Sequence, residues 1–176
     1  VHRSVVEAVV LGVPWGAGRR VVAALPAEES PPVPAGIAVR RRRVVPTADV
    51  MIAGDWAPIR DFSETILEKP ESIYGDLLPV LRDCHLRVVN LECPLVDEGT
   101  PVHKSGAVLK GVSGHISGLA TVPFEVATLA NNHVFDYGID AFVQTRNLLQ
   151  QHGIQSTGAG MAIAETERPL MASTNG

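Results

Sequence analysis

From Ala48 onward the chain is a series of short apolar runs, each ending in a polar tip. The run from Ala48 leads into Gly54 and Asp55, and the run from Leu86 to Leu91 leads into Glu92. A third, Val126 to Ala130, leads into Asn131, Asn132 and His133, with Asp136, Tyr137 and Gly138 close behind. Such runs read as buried strands of an open sheet that deliver polar groups to its carboxyl edge. A fourth, Ile154 to Gly160, is a short strand entering a glycine turn.

Between these runs the spacing becomes helical. Ser63 to Cys84 reads as two helical pieces broken at Lys69-Pro70, the first capped by Ser63 and the second, Ile73 to Cys84, carrying Leu77, Leu78 and Leu81 around Pro79. Ser113 to Thr121 reads as a short helix with His115 on its surface. Ile139 to His152 is the clearest helix: Phe142, Thr145 and Leu149 share a face with Ile139 beside them, and Gly153 supplies the stop. Asp97 to Lys110 is polar and rich in Gly and Pro, a long loop. Strand alternating with helix predicts an α/β fold with parallel strands joined by helical crossovers.

Residues 1–46 carry no sustained period, and Pro26, Pro31, Pro32 and Pro34 interrupt any continuous element. They read as a weakly ordered extension with a short helix near Val5 to Leu11 and a strand near Ala38 to Val45. The organised domain is then 47–176. The run Arg40 to Arg43 is short and reads as a solvated linker rather than a binding patch.

Composition narrows the classes. The 176 residues are 45% hydrophobic and 19% charged, enough for one domain with a core. A net charge of -4 gives no cationic footprint, so nucleic acid is not an expected partner. Cys84 and Cys93 have neither CxxC nor zinc spacing and read as two thiols. No apolar run reaches the roughly 18 to 20 residues a membrane helix needs, and Val5 to Val13 makes a poor export signal because it contains Glu7 and leads into Pro14. The chain begins with Val, so the recorded start need not be the biological one.

The strand tips hold the candidate chemistry. Carboxylate and amide oxygens such as those of Asp55 and Asn132 are reasonable ligands for a divalent cation, and His133 is the usual kind of proton donor beside one. A purely structural account competes at each tip: an Asx-turn at Asp55, and an Asn-rich turn closed by Gly138 after the third run.

Taken together, these blocks resemble the CapA-type capsule-biosynthesis proteins, also called the poly-γ-glutamate synthesis family, within the calcineurin-like metallophosphoesterase superfamily. The resemblance spans about Ala48 to Leu170. It rests on Gly54-Asp55 with Arg60, Asn90-Leu91-Glu92 with Pro94-Leu95, Lys104-Ser105-Gly106, Leu129 to His133 with Asp136-Tyr137-Gly138, and Gly158-Ala159-Gly160 with Glu165 and Pro169. It implies a sheet sandwich flanked by helices, here a partial one. It also implies Asp55, Glu92 and Asn132 as ligands of a divalent metal (manganese, zinc or iron) and His133 as the catalytic histidine. Arg60 and Lys104 would suit an anionic substrate, with Asn131 and Asp136 beside them.

Two departures qualify it. Ala57 stands where the superfamily's first motif has a histidine ligand, and the sequence stops before the histidine-bearing second half such proteins carry. The expectation is therefore the N-terminal half of a CapA-like domain, holding metal loosely. Three functions follow: a metal-dependent hydrolase-like protein of capsule or poly-γ-glutamate biosynthesis, a non-catalytic component that holds an acidic polymer or joins capsule synthase components, or a generic metal-dependent phosphoesterase.

Overall fold

The computed structural model describes residues 5–10 and 48–175. Four parallel strands form the central sheet: β2 (Val50–Trp56), β3 (Leu86–Leu91), β4 (Val126–Thr128) and β5 (Gln155–Thr157), in that spatial order. Helices α1 (Asp61–Glu68), α2 (Leu78–Arg82), α3 (Ile116–Thr121) and α4 (Gly138–Gln151) lie in the connections, as parallel pairing requires. The predicted α/β class with a parallel sheet is what forms.

Strand β3 is buried at every position but Asn90, so both faces of the sheet are covered there. On one face Val89, Leu91, Ala127 and Leu129 pack with Phe142 and Leu149 of α4 and with Leu119 and Val122. The i, i+3, i+7 face expected for α4 is therefore the buried one, although Ile139 points to solvent at 55% exposure. On the other face Leu86, Val88 and Val126 pack against Ala172 of β6 (Leu170–Asn175). Strand β6 pairs antiparallel with β1 (Val5–Val10), giving the second layer of a partial sandwich. Val50 and Ile52 share the face of Leu86 and Val88 but lie on the sheet edge, 46% and 71% exposed.

Several local expectations are corrected. Val5–Val10 is a strand, not a helix: Val-rich β-branched sequence favours extended backbone, and β6 supplies a partner. The strand expected near Ala38 to Val45 lies outside the described residues. Ser63 does not cap α1; Arg60 is the N-cap, and the Ser63 hydroxyl lies 3.0 Å from His115 Nε2. The helix expected from Ile73 to Cys84 breaks into 3-10 turns at Pro70–Ile73 and Gly75–Leu77 followed by α2. Gly75 has φ +50, and Pro79, lacking an N–H, fits only in the first turn of α2.

His115 is buried rather than on the surface. The Val112 amide donates to its Nδ1 at 2.9 Å, so the neutral ring carries its proton on Nε2, facing the Ser63 carbonyl at 3.1 Å. A second tie runs from Trp56 Nε1 to the Tyr74 hydroxyl (3.1 Å), which in turn donates to the Gly118 carbonyl (2.7 Å). Burial pushes the Tyr74 hydroxyl up to about 12, so it stays a donor.

The amino ends of β3 and β4 are locked by Arg87. Its backbone N–H and Nε donate to Glu125 Oε2 at 2.7 and 3.1 Å, its second guanidinium arm pairs with Oε1, and the remaining nitrogen donates to the Arg82 and Cys84 carbonyls. A buried guanidinium is tolerable only with such saturation.

Candidate active site at the strand tips

Strand β2 carries a bulge just before its tip. Ile52 pairs with Val88 and Asp55 with Asn90, so Ala53 and Gly54 together oppose Val89 alone. A bulge re-aims the residues that follow it, and here it sets Asp55 beside Asn90. The Asn90 amide nitrogen donates to Asp55 Oδ1 at 2.7 Å. Gly54 thus sits within the bulge.

Asn90 is the hub of the three tips. Its carbonyl oxygen accepts from Thr128 Oγ1 (3.2 Å) and from Asn131 Nδ2 (3.2 Å), and Asn131 Nδ2 also reaches the Leu91 carbonyl at 2.9 Å. Asn131 Oδ1 accepts the His133 backbone amide at 3.0 Å. One chain of hydrogen bonds therefore runs Asp55, Asn90, Asn131, His133. Asn90 was absent from the candidate set, and its signal was the one amide in β3, at the end of the apolar pair Val88-Val89.

A second cluster adjoins the first. His133 Nδ1 lies 2.7 Å from Asp136 Oδ2, and Lys104 forms an ion pair with Asp136 Oδ1. Burial works against ionisation of Asp136, but hydrogen bonds from Lys104, His133 and the Leu109 amide outweigh it and hold the carboxyl below its ordinary range. An ionised carboxylate only accepts, so the 2.7 Å contact places a proton on His133 Nδ1. His133 Nε2 takes no hydrogen bond among the described residues.

The remaining candidates are placed differently. Glu92 follows the β3 tip with its backbone amide on the Trp56 carbonyl (3.1 Å), and its half-buried carboxylate has no hydrogen bond among the described residues. Asn132 is exposed, with its carbonyl accepting from Lys104 at 3.2 Å. Arg60 is exposed at the start of α1 with φ 55, and no hydrogen bond or ion pair among the described residues links its side chain to the cluster. Cys93, next to Glu92, is buried, and burial with the Glu92 charge pushes its thiol up to about 12, which makes it an inert neighbour.

The donor set suits a hard divalent cation. Asp55 Oδ2, the Glu92 carboxylate and the Asn132 side chain are unclaimed by hydrogen bonds among the described residues, and all offer oxygen. Among the described residues no three His, Cys, Asp or Glu side chains gather to hold a metal. A separate cleft of about 820 Å³ between α4, β5 and Arg168 shares no residue with these tips. No helix of the described residues is long and apolar enough to cross a membrane.

A parallel sheet whose carboxyl tips carry Asp55, Glu92 and an Asn-Asn-His turn defines an α/β protein of partial metallophosphoesterase-like architecture. Residues 49–176 match the family described as "Bacterial capsule synthesis protein PGA_cap", and the chain belongs to that family. It is also similar to two curated relatives, each named "Probable polyglutamine synthesis accessory protein", from Mycobacterium tuberculosis strains CDC 1551 / Oshkosh and ATCC 25618 / H37Rv. Each is 28% identical over 100 residues, 56% of this chain and 26% of the relative, so the match spans about a quarter of the relatives' length.

Proposed function

We propose that this chain carries the metal-holding and acid-base part of a CapA-like protein acting in capsule or poly-γ-glutamate biosynthesis, on a phosphoester-like or other anionic substrate. The observation that supports it most is the hydrogen-bonded chain from Asp55 through Asn90 and Asn131 to His133, which ties three strand tips into one site. Asp55, Glu92 and Asn132 would hold a divalent cation, manganese, zinc or iron. When bound, such a cation polarises the substrate and acidifies a water.

The protein's own groups do the rest. Asp136 holds the His133 ring by Nδ1, leaving Nε2 as the nitrogen that exchanges a proton with the leaving group or water. Arg60, exposed and without a hydrogen-bond or ion-pair partner for its side chain among the described residues, is available to meet an anion.

A second reading is a non-catalytic component that uses the same pocket to hold an acidic polymer beside capsule synthase components. The relatives' names as accessory proteins favour it, as does Ala57 in the place of a histidine ligand. Calorimetric titration with manganese, paired with hydrolysis of a chromogenic phosphate ester, separates the two. Catalysis predicts metal binding lost in Asp55→Ala and turnover lost in His133→Ala with metal binding kept. Metal-independent binding of poly-γ-glutamate with no turnover supports the second reading. Neither metal nor polymer binding would sink both.

A further inference from the structure

Three residues of the long loop from Asp97 to Lys110 bind Asp136. The Val102 amide donates to the Asp136 carbonyl at 2.9 Å, the Leu109 amide donates to Asp136 Oδ2 at 2.7 Å, and Lys104 pairs with Oδ1. Lys104 also donates to the Asn132 carbonyl at 3.2 Å and lies 3.4 Å from His133 Nδ1. Its ammonium is thus committed inside the protein, which argues against the role of substrate-anion ligand suggested by its sequence position. What it touches is the carboxylate that orients the histidine.

We infer that Lys104 is a positioning residue: by capping Asp136 Oδ1 it keeps that carboxylate an acceptor for His133 Nδ1 and so fixes the ring tautomer with Nε2 free to work. The Asp136 side chain is only 2% exposed. A carboxylate so enclosed needs a compensating cation, and without Lys104 the Asp136–His133 pair would take up a proton from solvent. Whether that proton rests on the carboxylate or on the more basic imidazole, Nε2 then carries a hydrogen and is no longer free. One loop lysine therefore decides which ring nitrogen faces the reaction. Its catalytic meaning rests on the function proposed above, whereas its structural content does not.

The test is nitrogen NMR of the full chain with ring-labelled histidine, the His133 signals being assigned by their loss in His133→Gln. The wild type should show a protonated Nδ1 and an unprotonated Nε2 in the neutral ring. Lys104→Met should lose that pattern, and Lys104→Arg should keep it. Hydrogen exchange at the Leu109 amide should accelerate by roughly tenfold in Lys104→Met, the share of one charged hydrogen bond, while Val126 in the sheet is unchanged.

An unaltered His133 tautomer in folded Lys104→Met overturns the inference. If Lys104→Met does not fold, loss of the wild-type tautomer in folded Lys104→Arg overturns it instead. On a phosphate ester, positioning predicts a fall in kcat, and a rise in KM alone would mean that Lys104 meets the substrate after all. A chain that neither binds metal nor turns over, yet loses its tautomer in Lys104→Met, sinks the proposed function and leaves this inference standing.

Discussion

Asn90 donates to Asp55 across the β2–β3 boundary at 2.7 Å while its carbonyl oxygen accepts from Asn131 beyond β4, so one amide couples three strands. Asn90→Ala should cost about 1–2 kcal/mol in urea unfolding, the worth of three side-chain hydrogen bonds with exposed or half-exposed partners. It should also weaken manganese binding, read by calorimetry, because Asp55 loses its brace. Unchanged affinity would mean that Asp55 is held by the bulge alone.

Acid stability should depend on Asp136. Its folded pKa lies below the ordinary 3.8, so in the window beneath 3.8 the unfolded chain binds more protons and stability rises with pH. The contribution is complete above that value and fades as pH falls through the folded pKa. Urea midpoints of Asp136→Asn should fall less steeply below pH 3.8 than those of the wild type. Parallel curves would show that the carboxylate's partners add nothing to folding.

His115 works in the same direction at milder pH. Burial depresses it below 6.5, against an opposing hydrogen bond at Ser63, so its contribution is complete above 6.5 and declines as pH drops towards the folded pKa. Protonating Nδ1 would also set it against the Val112 amide, which now donates to it. The wild type should lose stability between about pH 7 and pH 5 and His115→Asn should show a flatter profile, by thermal unfolding at each pH.

Gly118 is a packing contact in helical disguise. A Cβ there would lie 2.7 Å from Trp56 Cζ2 and 3.0 Å from Ile66 Cγ2. Gly118→Ala should therefore lower Tm despite alanine's better helix propensity, at a cost of about 1–3 kcal/mol for overpacking. A raised Tm would show that Trp56 swings aside freely.

The central sheet was legible because β2, β3 and β4 lie in largely apolar runs, and α4 because Phe142, Thr145 and Leu149 fall on one face. The short pieces were not. Pro79 and Gly75 act through a backbone position that periodicity does not register, and β1 is a strand only because β6, far along the chain, pairs with it. At the site, the strand tips could be read from where each apolar run ended. Their coupling could not, since it depends on Asn90 and on a loop lysine reaching Asp136 across 32 positions.

The Arg87–Glu125 clasp lies at the opposite end of the same strands from Asp55, Glu92 and His133. Its consequence is a division of labour readable by saturation mutagenesis. Changes at Arg87 or Glu125 should register as poor yield of intact protein, while changes at Asp55, Glu92 or His133 should lower yield less and alter chiefly what the molecule recognises. One sheet thus separates robustness from chemistry along its own length, giving variation at the reactive end a frame it cannot easily break.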